Sequence, residues 1–279
     1  MLQHTFSHIR GVGEKAENAL WQAGILDWSN FFETPDIPLP ADKTAYIREQ
    51  LRQSRDALKA GNHAFFTRLL PPSHHWRIFR EFRNSIAYVD IETTGLAQGY
   101  NEITTIALYD GKQIRHYING HNLDRFPDDI RSYDLLITYN GKCFDVPFMT
   151  HFFRTSFHQS HIDLRYVLKS LGYTGGLKGC EKRFGICRDE LDEVDGYFAV
   201  RLWQEYQTTK QTSALETLLA YNIEDVINLE FLMHQAYNLK IQNLPFADRL
   251  LLEIPKKPDV PFLPDRNLIE KMKADFFTF

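Results

Sequence analysis

The chain has 279 residues, of which 43% are hydrophobic and 24% are charged, and its formal net charge is −4. This composition is typical of a folded globular protein, and it excludes a largely disordered chain, which would lack the apolar surface to offset its ordering entropy. It also excludes a protein that coats nucleic acid through an overall positive charge, although a local basic patch stays compatible with it.

The cysteines and the hydrophobic segments indicate the cellular compartment. The three cysteines form no CxxC pair and are too few for a disulfide framework, which predicts reduced thiols. No apolar run reaches the roughly 20 residues needed to cross a bilayer, and the polar N-terminal segment is unlike a signal peptide. We therefore expect a cytoplasmic protein without a membrane segment.

The first 72 residues are predicted to form a small helical region. Gly11 and Gly13 form a glycine hairpin, and the segment after them has helical apolar spacing. Asp27 is a candidate cap for a second helix, and a proline-rich loop leads to a third helix over about 44–60. The basic side chains of this third helix fall at spacings of three and four residues: Arg48, Arg52, Arg55 and Lys59.

The next part of the chain has the pattern of short strands followed by helices. Segments 86–95 and 135–140 are rich in β-branched and aromatic residues, and Gly111-Lys112 joins two further strands in a hairpin. Helical spacing prevails over about 145–240, interrupted by a short strand in 161–165. This order predicts a mixed α/β sheet. The sequence thus predicts a helical region (1–72), a sheet domain (83–240) and a proline-rich extension with one short helix (241–279).

Four acidic residues occupy positions where strand and helix geometry would gather carboxylates. Asp90 and Glu92 are two apart in a strand, so they emerge on one face, at the carboxyl end where open α/β sheets place their sites. Asp145 follows another predicted strand, while Tyr221 and Asp225 share one face of a helix. Gathered carboxylates repel one another without cations, and hard oxygen ligands select Mg²⁺ or Mn²⁺. Two such ions about 3.5–4 Å apart are suited to in-line displacement at a phosphodiester.

Three motifs in this sequence resemble those of a known family. Asp90-Ile-Glu92-Thr-Thr-Gly95, Asn140-x-x-x-Phe144-Asp145 and Tyr221-x-x-x-Asp225 resemble, in this order, the exonuclease motifs of the DnaQ-like DEDD 3′→5′ exonucleases. The segments GGLKGCEKRFGI, DGYFAVRLWQEY and LLAYNIEDVINL further resemble the YprB-type branch. The resemblance covers about 85–239, and it implies an RNase H-like fold with a mixed five-stranded sheet flanked by helices.

The resemblance also implies an activity and its cofactors. A metal-dependent 3′→5′ exonuclease would remove nucleoside 5′-monophosphates from the 3′ end of single-stranded DNA or RNA. Asp90, Glu92 and Asp225 would hold the more tightly bound of two divalent ions, Mg or Mn. Asp145 would help to hold the second ion.

The residue preceding the last aspartate distinguishes two branches of this family. One branch has His five positions before that aspartate, and the other has Tyr four positions before it. Ala220 excludes the first branch here, and Tyr221 fits the second. A phenol with an ordinary pKa near 10 is a poor general base at pH 7. Tyr221 would therefore orient the attacking water, which the resemblance also implies.

Other residues in and near the motifs are candidates for substrate contacts or for structural roles. Thr94, Leu96 and Asn140 match positions that contact the terminal nucleotide in the family. Asp163 has no ligand role in the family, and its place at the end of a short strand favours a structural role. Lone cations near the motifs are candidate phosphate contacts, although most surface cations have no such role: Lys142, Lys178, Lys182 and Arg183.

Several alternatives remain open from the sequence. The same metals would serve an endonuclease or a structure-specific nuclease, and the fold also occurs in catalytically silent nucleic-acid-binding modules. The Ile9-x-Gly11-Val12-Gly13 segment resembles the hairpin of a helix-hairpin-helix motif, which holds phosphate, but a simple glycine turn between packed helices is equally compatible. The basic stripe of the third helix is either a phosphate-binding surface or a solvated face.

Overall fold

The computed structural model describes residues 1–188, 191 and 194–274. In these residues, five strands form one mixed sheet in the order β3-β2-β1-β4-β5. The strands are β1 (Ile86–Thr93), β2 (Ile103–Tyr109), β3 (Ile114–Ile118), β4 (Leu135–Thr138) and β5 (Ser160–Asp163). β2 is antiparallel to β1 and β3, whereas β4 runs parallel to β1 and β5. The predicted five-stranded α/β fold is confirmed.

Helices precede and flank this sheet. The N-terminal helices are α1 (Glu14–Gln22), α2 (Trp28–Glu33), α3 (Ala41–Lys59), α4 (His63–Leu69) and α5 (Phe79–Phe82). The later helices are α6 (Phe126–Asp129), α7 (Asp145–Phe153), α8 (Leu164–Lys169), α9 (Gly176–Arg183), α10 (Gly196–Thr209), α11 (Thr212–Ile241) and α12 (Arg266–Ala274). Short 3-10 helices span Leu2–His4, Pro72–Ile78, Leu123–Arg125, Ile130–Ser132 and Ala247–Arg249.

The N-terminal region follows the predicted pattern with local differences. Asp27 caps α2 by accepting a hydrogen bond from the Asn30 amide at 2.8 Å. Only a 3-10 turn precedes the glycine hairpin, so the first α-helix of a helix-hairpin-helix motif is absent from the described residues. Helical turns continue past Pro71-Pro72 as the Pro72–Ile78 3-10 helix and α5, because proline fits the first turn of a helix.

The alternation of side chains along β1 separates two cores. Ala87, Val89 and Ile91 pack with α6 and α7 on one face of the sheet. Tyr88 lies on the other face, which α11 covers. Asp90 and Glu92 have the same parity as Tyr88, so the pleat directs both carboxylates towards α11.

The N-terminal helices and the C-terminal extension share the core on the α11 face. The Trp76 and Tyr237 rings, one from the N-terminal region and one from α11, are 5.9 Å apart. Asn238 forms two hydrogen bonds with the backbone of Leu252, and Leu268 and Met272 of α12 are buried. The extension therefore folds back along α11.

The predicted helical stretch after 145 is interrupted more than expected. Non-helical chain spans 154–159, before β5, and 184–188, between α9 and α10; residues 189, 190, 192 and 193 lie outside the description. Among the described helices, none is both long and apolar enough to cross a membrane. The 30-residue α11 is instead buried by the sheet, α10 and the N-terminal helices.

Candidate active site

Three carboxylates from two distant elements converge at one end of the sheet. Asp90 and Glu92 come from the carboxyl end of β1, and Asp225 comes from the middle of α11. Each offers an oxygen, and these three oxygens lie within 4.8 Å of one another. An irregularity in the β1–β2 pairing falls between Glu92 and Thr93, so the strand bends directly after the two acidic residues.

Asp145, the fourth carboxylate of the predicted set, is not part of this group of three oxygens. It is the first residue of α7, where the helix dipole favours an anion, and only 3% of it is exposed. Burial raises its pKa to about 7, against the opposing effect of the backbone amides of Asp145 and Ile91. Its charge in turn raises the pKa of Asp90 and Glu92, which places the four carboxylates in one electrostatic group.

The electrostatics of this group favour a bound cation. Burial, followed by repulsion from neighbouring carboxylates, raises the pKa of Asp90 and Glu92 well above the ordinary range. Burial also raises the pKa of Asp225 to about 6, although Arg188 opposes this shift. A divalent cation would remove the repulsion that causes part of these shifts, and the donor set consists of hard oxygens. The residues present therefore fit Mg²⁺ or Mn²⁺.

Asn222 holds Asp90 in place and was not identified from the sequence. Its side-chain amide donates to Asp90 Oδ2 at 2.8 Å, and its carbonyl oxygen accepts from the Thr105 hydroxyl at 3.0 Å. Asn222 is fully buried, and it lies between Tyr221 and Asp225 on α11. Its position in that motif was the available signal, since residues three apart on a helix are neighbours.

Arg188 is the second missed residue. Its guanidinium forms an ion pair with Asp225 at 2.5 Å and donates to Glu181 at 2.7 Å, and Asn228 also donates to Glu181 at 3.0 Å. Arg188 is only 4% exposed, so this ion pair lies inside the protein. It follows α9 in an irregular segment, and no periodicity connects it with the acidic motifs.

Tyr221 lies one helical turn before Asp225 and is 7% exposed. Burial, and then the charges of Asp225, Glu92 and Asp90, raise its pKa above the ordinary value of 10. The phenol therefore keeps its proton and can donate a hydrogen bond, but it cannot act as a base near neutral pH. The cationic groups of Lys178 and Arg188 lie 5.4 Å and 5.8 Å from the centre of its ring.

The three candidate nucleotide contacts differ in their availability. Leu96 is 83% exposed in the turn after β1. The Thr94 hydroxyl donates to Asn101 at 3.2 Å, and the Asn140 side-chain oxygen accepts from Arg165, so both side chains are engaged within their loops. Gly95 is required in the first of these loops, because a Cβ there would lie 2.7 Å from the Asn101 side-chain oxygen.

The loop between β4 and α7 is built around Asp163 and Gly141. Asp163 caps α8 and accepts hydrogen bonds from the backbone amides of Asn140 at 2.8 Å and Lys142 at 3.0 Å, which is the structural role predicted for it. A Cβ on Gly141 would lie 2.2 Å from the Thr138 hydroxyl, so this position accepts no side chain. Both interactions fix the path of the chain into Asp145.

Two of the four candidate phosphate contacts, Lys178 and Arg183, donate hydrogen bonds to the backbone. The Lys178 ammonium donates to the backbone carbonyls of Leu191, at 3.0 Å, and Val194. Arg183 donates to the Gly172 carbonyl at 3.0 Å, while Lys142 is exposed.

A comparison with known protein families agrees with this fold. The sequence profile described as RNase_H superfamily matches residues 87–237, which is more than half of the chain. The protein belongs to the RNase H superfamily. Superfamily membership and the acidic cluster together indicate a nuclease, that is, a hydrolase that acts on nucleic acid.

Similarity to individual proteins is remote. No curated protein matches the sequence. Among solved structures, the family B DNA polymerase from the hyperthermophilic archaeon Pyrobaculum calidifontis matches with 15% identity and a TM-score of 0.43. The match covers 60% of this chain and 27% of the polymerase chain. A similarity of this size does not bear on activity.

Proposed function

We propose that the protein is a metal-dependent 3′→5′ exonuclease of the DEDD type, in the YprB-type branch, that acts on single-stranded nucleic acid. The observation that carries the proposal is the convergence of Asp90, Glu92 and Asp225 within 4.8 Å, with a protonated Tyr221 one turn from Asp225. The order and spacing of the three motifs support the 3′→5′ direction and the tyrosine-containing subclass.

Each residue of the site has a distinct task in this proposal. Asp90, Glu92 and Asp225 hold one divalent ion, and Asp145 helps to hold a second. Two such ions would activate a water nucleophile and stabilise the negative charge on the leaving 3′ oxygen. The Tyr221 hydroxyl donates a hydrogen bond that orients this water.

The neighbours of these residues limit their movement. Asn222 donates a hydrogen bond to Asp90 Oδ2, which limits the rotation of this carboxylate beside Asp225. Leu96, which is exposed in the turn after β1, contacts the terminal nucleotide together with Thr94 and Asn140. The reaction releases nucleoside 5′-monophosphates.

The proposal is tested with single-stranded DNA and RNA labelled at the 5′ end, each with Mg²⁺, Mn²⁺ or EDTA. We expect metal-dependent shortening from the 3′ end and mononucleotide products. Circular strands should stay intact, and cleavage of circles would instead establish an endonuclease. Binding of either strand without cleavage under every metal condition would establish a silent binding module.

The organisation and location of the protein complete the proposal. We retain the division into a helical region (1–72), a nuclease domain (83–240) and an extension (241–279), although their buried residues share one core. All three cysteines are free thiols, which supports a cytoplasmic location. Limited proteolysis would test the division, because cuts should fall first in the exposed connections.

A further inference from the structure

Two cavities adjoin along the boundary between the N-terminal region and the nuclease domain. The first, of about 700 Å³, lies between the Pro72–Ile78 3-10 helix and the carboxyl end of β5 with α8. The second, of about 620 Å³, lies beside the glycine hairpin. Glu14 and His74, which contact each other at 2.7 Å, line both cavities, and we name the two adjoining cavities together the junction groove.

The junction groove begins next to the acidic site. Lys142 lines its first cavity, and this residue belongs to the β4–α7 loop that ends at Asp145. Asp163 also lines the cavity and holds the backbone of the same loop through two hydrogen bonds. A strand whose 3′ end lies at Asp145 can therefore continue into the groove across this loop.

The lining of the groove is positively charged, in contrast to the chain as a whole. The first cavity contributes three cationic side chains and the second contributes two, against two acidic side chains in all. The cations are Arg77, which is paired with Glu17, and Lys142, Lys240, Arg10 and Arg68; the acids are Glu14 and Asp163. Arg10, Arg68 and Lys142 are exposed and form no ion pair in the part of the chain that the structure describes. A protein with a net charge of −4 thus concentrates unpaired cations at this boundary.

Exposed aromatic rings accompany these cations. Tyr166 lines the first cavity and is 49% exposed, and Tyr46 lines the second and is 42% exposed. Free cations combined with exposed aromatic rings are the elements by which proteins bind single strands, since phosphates pair with the cations and bases stack on the rings.

The glycine hairpin adds backbone donors to the second cavity. α1 begins there at Glu14, its N-cap Gly13 offers no side-chain cap, and no heavy atom lies within 4 Å of a Cβ built on Gly11 or Gly13. His8 also lines this cavity, is 3% exposed, and has no partner for its Nδ1 among the described residues. Amides at a helix N-terminus favour an anion.

We propose that the junction groove binds single-stranded nucleic acid on the 5′ side of the nucleotide that is removed. This inference rests on the proposed function, because it takes the 3′ end to lie at the acidic site. The groove recognises phosphates and base faces, which DNA and RNA share, and it makes the N-terminal region a binding element for longer substrates.

The first test compares two double variants by fluorescence anisotropy with labelled strands of roughly 4 and 16 nucleotides. DNA and RNA of the same sequence are measured in EDTA. Arg10→Ala/Arg68→Ala should weaken binding of the long strand roughly tenfold at low salt and reduce the slope of log affinity against log salt by about 1.4. Arg52→Ala/Arg55→Ala removes the same charge outside the groove. It should leave affinity unchanged, because Arg52 pairs with Glu49 and Arg55 lies 4.2 Å from the Phe32 ring.

The second test separates stacking and local charge. Tyr166→Leu should weaken binding of the long strand roughly tenfold, whereas Tyr166→Phe should bind normally. Glu14→Gln should strengthen binding at low salt, because Glu14 is the acidic residue where the two cavities meet. Equal affinity of the Arg10/Arg68 variant and the wild type for the long strand would overturn the groove, as would equal losses in both double variants.

Different measurements test the junction groove and the nuclease activity, so one proposal can be contradicted while the other stands. Binding is measured without metal, so loss of affinity in the groove variants supports the groove even if no strand is ever cleaved. Conversely, metal-dependent cleavage from the 3′ end with no difference between the groove and control variants keeps the proposed function and removes the groove.

Discussion

Two buried arginine–carboxylate clusters, one in the N-terminal helices and one at the acidic site, differ in their charge balance. In the first, Arg77 contacts both oxygens of Glu17 at 2.8 Å. Glu17 also accepts the backbone amides of Phe6 at 2.6 Å and Ser7 at 3.0 Å. One cation thus balances one anion, and the carboxylate has several donors. Such a closed pair has a structural role.

The second cluster has more negative than positive charge. Arg188 pairs with Asp225 and Glu181, but Asp90 and Glu92 lie beside Asp225 without a buried cation of their own among the described residues. Burial, and then repulsion from the neighbouring carboxylates, raises the pKa of both Asp90 and Glu92. A buried carboxylate by itself is therefore not evidence of a metal site, whereas an excess of buried carboxylates over cations favours one.

The largest effect is expected when a ligand of the unbalanced cluster is neutralised. Asp90→Asn keeps the shape of the side chain but removes its charge, so hydrolysis should fall by at least about a thousandfold. The fold should persist, and the melting temperature without metal should be unchanged or slightly higher because repulsion decreases. Activity assays with Mg²⁺ and Mn²⁺ and thermal melts measure both effects. Substantial activity of this variant with Mn²⁺ would contradict the assigned site.

Breaking the balanced pair should affect stability. Arg77→Met leaves Glu17 buried without its counter-ion and should reduce the free energy of unfolding by about 3–5 kcal/mol. The Arg131–Asp128 pair has a similar distance of 2.7 Å, but its side chains are 69% and 78% exposed. Arg131→Met should therefore cost at most about 1 kcal/mol.

Urea unfolding of both variants provides the measurement for this pair. The double variant Arg77→Met/Glu17→Gln should recover part of the lost stability, because the uncompensated charge is removed while an acceptor for the Phe6 and Ser7 amides remains. Equal costs for Arg77→Met and Arg131→Met would show that burial does not distinguish the two pairs.

Tyr221→Phe should reduce turnover by about 10- to 1000-fold, because the variant loses the hydrogen bond that orients the water. Affinity for substrate should change little, since that bond contributes little to ground-state binding. Affinity for metal should also persist, whereas Asp225→Asn should lose metal as well as turnover. Single-turnover kinetics and calorimetric metal titration separate the two roles. Full activity of Tyr221→Phe would make Tyr221 a packing residue.

Arg188 provides a way to increase the charge imbalance. Its guanidinium occupies an oxygen of Asp225, so Arg188→Met should free that ligand and increase Mn²⁺ affinity roughly tenfold, or ~1.4 kcal/mol. Melting without metal should occur at a lower temperature, because Glu181 also loses its partner. Arg188→Lys keeps the charge and should stay close to the wild type. Weaker Mn²⁺ binding by Arg188→Met would mean that the arginine positions Asp225 for the metal.

The smallest expected effect is a dependence of stability on pH. The folded protein raises the pKa of Asp225 to about 6 and of Asp145 to about 7, above their unfolded values. The protonated forms are therefore favoured by folding, and their stabilisation is lost as pH rises through these values. Without metal, the melting temperature should fall by roughly 2–6 °C between about pH 5 and 8.

Two control measurements show whether the decline in melting temperature comes from the carboxylates of the acidic site. Mg²⁺ should abolish the decline, because it binds the charged carboxylates, and Asp145→Asn should reduce the decline by removing one titrating group. A decline of the same size with and without Mg²⁺ would assign it to other groups.

Local sequence patterns predicted most of the elements. The β2–β3 hairpin around Gly111, the helix that carries Tyr221 and Asp225, and the cap at Asp27 follow from interactions within a few residues, and the structure confirms them. The 3-10 helix over Pro72–Ile78 was not predicted, because Pro71-Pro72 is compatible both with a break and with the start of such a helix.

Strand and helix periods place Asp90 and Glu92 on one face and Tyr221 and Asp225 on another, so both relations could be predicted from the chain alone. That these two faces meet follows from the packing of α11 on the sheet. The tertiary structure also brings Asn222 to Asp90 and Arg188 to Asp225. The physical reason is that such contacts join segments far apart in the chain, where side-chain spacing carries no information and packing of α11 on the sheet sets every distance.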